Sequence, residues 1–208
     1  EKVAELLGFT HALFVPSGTM GNQIALSLHT QPGDEVIIEA YGHSFAYETG
    51  GMAALAGVQG KTVTGTRGIM SLEAIEKAIN PIETHYASTR LIVVENTANR
   101  GGGTIYSTEA LKEIQTLAHQ HELKFHMDGA RLWNAAIASG TSLSAYGELV
   151  DSTSVCLSKG LGAPVGSILA GDEDFIGRAR RLRKMYGGGM RQAGILAAGA
   201  LYAIEHNL

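Results

Sequence analysis

The constraint that most narrows the fold is an alternation. Short apolar runs rich in β-branched residues are each followed by a helical pattern: ALFVPSG by SGTMGNQIALSLHT, EVIIEA by HSFAYETGGMAALAG, LIVVENT by STEALKEIQTLAHQHEL, and KFHMDG by ARLWNAAIASG. Such an order builds βαβ units, hence a three-layer α/β domain with a mostly parallel central sheet and helices on both faces. The runs at 91–95 and 155–157 are apolar enough to be buried on both sides. SILAG adds a later strand, and DEDFIGRARRLRKMYG a cationic helix. In open α/β sheets, ligands gather beyond the carboxyl ends of the strands. The chemistry is therefore sought there.

Composition excludes several classes. Apolar residues make up 45% and charged ones 17%, and no apolar run approaches the roughly 20 residues of a spanning helix. A net charge of −4 with interspersed signs leaves no basic footprint for nucleic acid. One cysteine, Cys156, excludes an internal disulfide and suits a reducing cytosol, so a cytoplasmic protein is expected. Cys156 sits inside an apolar strand and reads as a buried small hydrophobe. Glycine, 27 of 208 residues, is roughly twice its usual share of about 7%, which points to close backbone approach. The first residue is Glu1 and the last run is YAIEHNL, within a helical pattern that has no stop signal, so a segment of a longer protein is expected.

The predicted strand ends carry reactive side chains. Ser17, Gly18 and Thr19 stand where a strand becomes a helix: they either cap that helix or offer amides and hydroxyls to a phosphate. Asp128 and Arg131, in DGAR, form either an i, i+3 surface ion pair or two separate contacts. In the second reading Asp128 faces a cationic ring nitrogen and Arg131 clamps a substrate carboxylate. His43, with Tyr41 and Glu48 nearby, is either a capping or core histidine or a flat partner for a planar cofactor. Lys159, in LSKGLG, is either a loop lysine or an imine former. His119 and His121 point in different directions on a helix, so no metal pair is read there.

Rival motifs fail on spacing. Gly160, Gly162 and Gly166 give G-x-G-x-x-x-G late in the chain with Pro164 inside, unlike the dinucleotide fingerprint. No G-x-x-x-x-G-K-[ST] phosphate loop and no G-x-S-x-G elbow occurs. A phosphate cradle, an aspartate for a pyridinium, an arginine for a carboxylate, a histidine for stacking and a lysine for an imine make one coherent set. That set is a pyridoxal 5'-phosphate site.

Through nearly its whole length the chain resembles the low-specificity L-threonine aldolases, within the β-eliminating lyase group of fold type I pyridoxal phosphate enzymes. The likeness rests on PSGTMGN from Pro16, GHSFAYETGG from Gly42, HYASTRLIVVENT from His85, HMDGARLWNA from His126, CLSKGLGAPVGS from Cys156 and RKMYGGGMRQAG from Arg183. It implies that Lys159 carries the cofactor as an imine, that Asp128 pairs with the pyridine nitrogen and that His43 stacks on the ring. It further implies that the Ser17–Gly18–Thr19 segment holds phosphate with Ser158 as a neighbour, and that Arg131 binds the substrate carboxylate. By the same likeness His85 stands near the substrate hydroxyl, Arg191 touches phosphate and Lys184 lies close by. Where the family usually has histidine after ENT, this chain has Ala98.

The implied reaction is retro-aldol cleavage of L-threonine, L-allo-threonine and related β-hydroxy-α-amino acids to glycine and an aldehyde. His43, His85 or a water they hold would serve as the hydroxyl base. The alternatives are a fold type I β-lyase or aminotransferase, and a non-catalytic module of the same fold. Residues 1–208 correspond to the cofactor-binding large domain, with the family's N-terminal arm and small C-terminal domain outside this segment. A homodimer or homotetramer with shared active sites is implied, with an amino acid as the small-molecule partner.

Overall fold

The computed structural model describes all 208 residues. In chain order the elements are α1 (Lys2–Leu7), β1 (His11–Val15), α2 (Gly18–His29), β2 (Glu35–Glu39), α3 (His43–Ala46), a π-helical turn (Met52–Ala56), β3 (Gln59–Val63), α4 (Leu72–Ala78), β4 (Thr89–Glu95), α5 (Thr108–Gln120), β5 (Lys124–Gly129), α6 (Leu132–Ser139), α7 (Leu143–Gly147), β6 (Ser152–Cys156), β7 (Ser167–Gly171), α8 (Glu173–Met185) and α9 (Gly194–Asn207). The strands form one seven-stranded sheet in the order β1-β7-β6-β5-β4-β2-β3. All pairings are parallel except those of β7 with β1 and with β6. Because β7 alone runs backward, β1 and β6 point the same way as the parallel strands. The ends of β1, β2, β4, β5 and β6 therefore share one edge, which is the expected three-layer α/β arrangement.

Two apolar layers hold the sheet. On one face, Ile37, Ile92, Val94, Phe125, Met127 and Val155 pack with Ile75, Leu111, Ile114, Leu132, Trp133 and Ile204 from the helices. On the other, α2 and α8 cover β1 and β7 through Leu13, Val15, Ile24, Leu169 and Phe175, while Leu26 and Met52 cover Val36, Ile38, Leu91 and Val93. The strand period of two explains the division in β5: Phe125 and Met127 face the first layer and His126 and Asp128 face α2. Cys156 is buried, and His119 and His121 are exposed, as the sequence indicates.

Two elements depart from the sequence expectation. The helix expected over HSFAYETGGMAALAG is broken into α3 and the π-helical turn, with Gly50 between them at φ 74°, a left-handed conformation that glycine adopts without strain. β3, QGKTV, has no apolar run, because it is an edge strand paired only with β2.

α6 is tied to the end of β6 by one buried contact: the Trp133 indole N–H donates to the Cys156 carbonyl at 2.8 Å. This bond fixes the strand end that leads into LSKGLG. Trp133→Phe keeps most of the volume and deletes the donor, so it should cost about 1–3 kcal/mol. For a chain of this size each kcal/mol lowers Tm by roughly 2–4 °C, and an unchanged Tm in a thermal melt would show that the tie holds nothing.

Candidate active site

The centre of the carboxyl edge is a buried polar cluster on the end of β5. Asp128 is 3% exposed, and its carboxylate accepts from the Ala130 amide at 3.1 Å and from Asn22 Nδ2 at 2.7 Å. Asn22 Nδ2 also donates to Glu48 Oε1 at 3.1 Å, and Gln23 Nε2 donates to Glu48 Oε2 at 2.7 Å. His43 Nδ1 lies 3.1 Å from the same Glu48 Oε1. His43 is placed by Gly42, whose tight turn lets α3 start directly after β2, and by its own N–H, which donates to Glu95 Oε2 at 3.2 Å.

The electrostatics follow from this crowding. Burial, and then the Glu48 charge, push the Asp128 carboxyl above its ordinary range. Glu95 is raised to about 6, first by burial and then by the Asp128 charge. The hydrogen bond to Glu48 raises His43 against the opposing effect of burial, and Lys159 pulls it down. Facing atoms of His43, Glu48 and Asp128 all lie within 4.8 Å of one another, a spacing that also suits a cation. The carboxylates, however, are already engaged by N–H donors.

Most of the predicted residues come together. Ser17, Gly18 and Thr19 follow β1 on this edge, and a Cβ at Gly18 would come within 3.1 Å of Cys156 Sγ, so the segment abuts the end of β6. Ser17 does cap α2, its hydroxyl accepting from the Met20 amide at 3.1 Å, which leaves Thr19 exposed beside it. Ser158 and Lys159 are exposed in the β6–β7 connection. Gly160 packs against the Asn134 amide, which leaves no room for a Cβ there. Arg131, half-buried before α6, makes no ion pair with Asp128, so the i, i+3 surface pair does not form. Gly188 lies against Pro16 and Met20, which brings the stretch between Lys184 and Arg191 over the start of α2; both side chains are exposed.

His85 does not join them. It precedes β4 in a segment held at the amino edge, where the Asn80 amide donates to Thr89 Oγ1 and Asn80 Nδ2 donates to Glu35 at the start of β2. The seven residues of β4, at about 3.3 Å each, put roughly 20 Å between it and Glu95. His85 is therefore corrected to a residue of the opposite edge. Ala98 is buried at the carboxyl edge and packs against Gly68. Asn22, Gln23, Glu48 and Glu95 were not singled out from sequence as site residues. Glu48, five positions beyond His43, and Asn22, within PSGTMGN, carried the available signal.

The fold and the cluster define an α/β domain with a helix N-terminus, a buried aspartate and an exposed lysine on one sheet edge. The chain belongs to the beta-eliminating lyase family, whose model matches residues 1–208. It is 48% identical to low-specificity L-threonine aldolase 1 of Arabidopsis thaliana, over 100% of this chain and 59% of that protein. It is 43% identical to the low specificity L-threonine aldolase of Escherichia coli K12, over 99% of this chain and 61% of that one. A threonine aldolase structure from Leishmania major superposes with a TM-score of 0.85 at 29% identity, covering 97% of this chain and 59% of that one. The chain thus spans about three-fifths of these relatives, and the fold is that of the fold type I pyridoxal phosphate enzymes. No helix is long and apolar enough to cross a membrane.

Glu95 yields a pH prediction. Between 4.5 and about 6 the folded chain keeps a proton that the unfolded chain has released, so the Glu95 contribution is full below 4.5 and lost as pH rises through about 6. Glu95→Gln should flatten that part of the fall in urea midpoint, measured without cofactor. Parallel wild-type and variant curves would contradict the assignment.

Proposed function

We propose that this protein is a pyridoxal 5'-phosphate-dependent aldolase, cleaving L-threonine, L-allo-threonine and related β-hydroxy-α-amino acids to glycine and an aldehyde. The observation that carries the reading is the buried Asp128–Glu48 carboxylate pair, next to His43 and on the sheet edge where Lys159 follows β6. The residues fit the cofactor. Two buried carboxylates lack a buried cation, and a protonated ring nitrogen is one; a cation at short range typically lowers an Asp pKa by about 1–3 units and would keep Asp128 ionised. The Ser154 and Ser44 hydroxyls, buried beneath the same edge, are unpaired.

Lys159 would be the covalent anchor, Asp128 would hold the ring nitrogen, and the amides of Gly18 and Thr19, with Ser17, Ser158 and Arg191, would surround the phosphate. Bound pyridoxal phosphate supplies an electron sink for the pair released from the Cα–Cβ bond. Arg131 binds the substrate carboxylate and orients that bond. His43 would lie against the ring. With Nδ1 engaged by Glu48, its Nε2, or a water it holds, takes the β-hydroxyl proton; such assistance is worth about 10²–10⁴-fold. With His85 at the far edge and no imidazole at position 98, His43 is the imidazole left for this task.

Residues 1–208 form the cofactor-binding large domain in this reading. A homo-oligomer with shared sites belongs to it too, and exposed Tyr41 and Tyr47 beside His43 suit a subunit contact. A buried single thiol suits the cytoplasm. With L-threonine and cofactor, the protein should release glycine and acetaldehyde, and Lys159→Ala should lower that by more than about a thousandfold. Release of a keto acid and ammonia would favour a β-lyase and overturn the aldol reading.

A further inference from the structure

Behind Asp128, away from His43, runs a line of hydrogen bonds that the proposed chemistry does not use. Asn22 donates to Asp128 and Glu48, and its amide oxygen lies 3.3 Å from His126 Nε2. His126 Nδ1 lies 2.8 Å from Ser152 Oγ, and the same hydroxyl lies 2.7 Å from His29 Nε2. Asn22 is 2% exposed, and His126 and Ser152 are fully buried. At the far end His29 stacks on Phe175 and opens on a polar cavity of about 320 Å³ shared with Thr30, Asp34, Arg90 and Arg178.

One fixed end sets the direction of every bond. Carboxylates accept, so Asn22 turns its NH₂ to Asp128 and Glu48 and its oxygen to His126. His126 Nε2 must then carry a hydrogen. A neutral imidazole has only one, so Nδ1 accepts from the Ser152 hydroxyl, whose oxygen in turn accepts from His29 Nε2–H. Both rings are held neutral chiefly by burial, which pulls each to about 3; Lys124 and Arg178 add to this at His29, while a backbone hydrogen bond at Ser152 opposes it at His126.

We infer that His29, Ser152, His126 and Asn22 form a one-directional relay whose donors all point toward Asp128, with Asn22 and His126 as positioning residues. Aligned donors polarise one another, so the relay favours the ionised carboxylate and fixes its rotamer. An amide does not readily hand on a proton, so the line orients charge and does not conduct it. What Asp128 does with that charge rests on the functional reading above. The direction of the line does not.

The test has two arms. Long-range ¹H–¹⁵N spectra of the cofactor-free protein should show His29 and His126 as neutral Nε2–H tautomers, unchanged between about pH 5 and pH 9. An Nδ1–H tautomer at His126, or its titration within that range, would overturn the relay. In the loaded protein, ¹⁵N-labelled pyridoxal phosphate should report a protonated ring nitrogen. Asn22→Ala should move that signal toward the neutral form and lower kcat about tenfold, with KM held within about twofold. Ser152→Ala keeps the Asn22–Asp128 bond; it should move the signal less and release the His126 tautomer. Wild-type ring-nitrogen signals and turnover in both variants would also overturn the proposal. If the wild type takes up no cofactor, the functional reading fails, and the tautomer spectra still decide the relay.

Discussion

A carboxylate buried at the end of the central strand is the constraint on which the rest of the site depends. Asp128 closes β5, in the middle of the sheet order, where neighbouring strands shield it on both sides and α2 covers it. Glu48 is buried beside it, and two like charges within 4.8 Å repel by roughly 3–4 kcal/mol at an effective dielectric near 20. A hydrogen bond to a charged group contributes about 1.5–3 kcal/mol, so the Asn22, Gln23 and Ala130 donors offset the repulsion but not the whole cost of desolvation. What remains favours either a proton or a cation. The raised Asp128 pKa expresses the first, and a pyridinium supplies the second.

That electrical demand organises the surrounding structure. α2 lays Asn22 and Gln23 over the carboxylates while its other buried residues, Ile24 to Leu26, join the apolar layers. β5 and β6 turn His126, Asp128, Ser152 and Ser154 toward α2 and keep Phe125, Met127 and Val155 for the opposite core. The period of two in each strand thus separates a polar machinery from the hydrophobic layer that stabilises it. His43, at the start of α3, and Lys159, in the β6–β7 connection, then stand at the same edge.

Much of this is readable from the amino-acid order, for identifiable reasons. Buried parallel strands such as LIVVE are continuous apolar runs, and the rule that ligands lie beyond strand ends places Ser17, His43, Asp128, Arg131 and Lys159 together without coordinates. β3 escaped because an edge strand needs no apolar run. The place of His85 is not legible because a motif fragment beside a strand does not reveal which end of the strand it occupies; its position before Thr89 puts it at the amino edge. Asn22 and His126 escaped because a buried polar residue looks like a surface residue in sequence. For His126 the clue is alternation in KFHMDG, where Lys124, His126 and Asp128 recur on a single face of a strand that is otherwise apolar.

The central claim is that these groups converge to hold pyridoxal phosphate on one lysine. Borohydride reduction of the loaded protein followed by peptide mass analysis tests it most directly. A pyridoxyl group confined to the peptide containing Lys159 is the predicted result, and an adduct on any other lysine, or none, would contradict it.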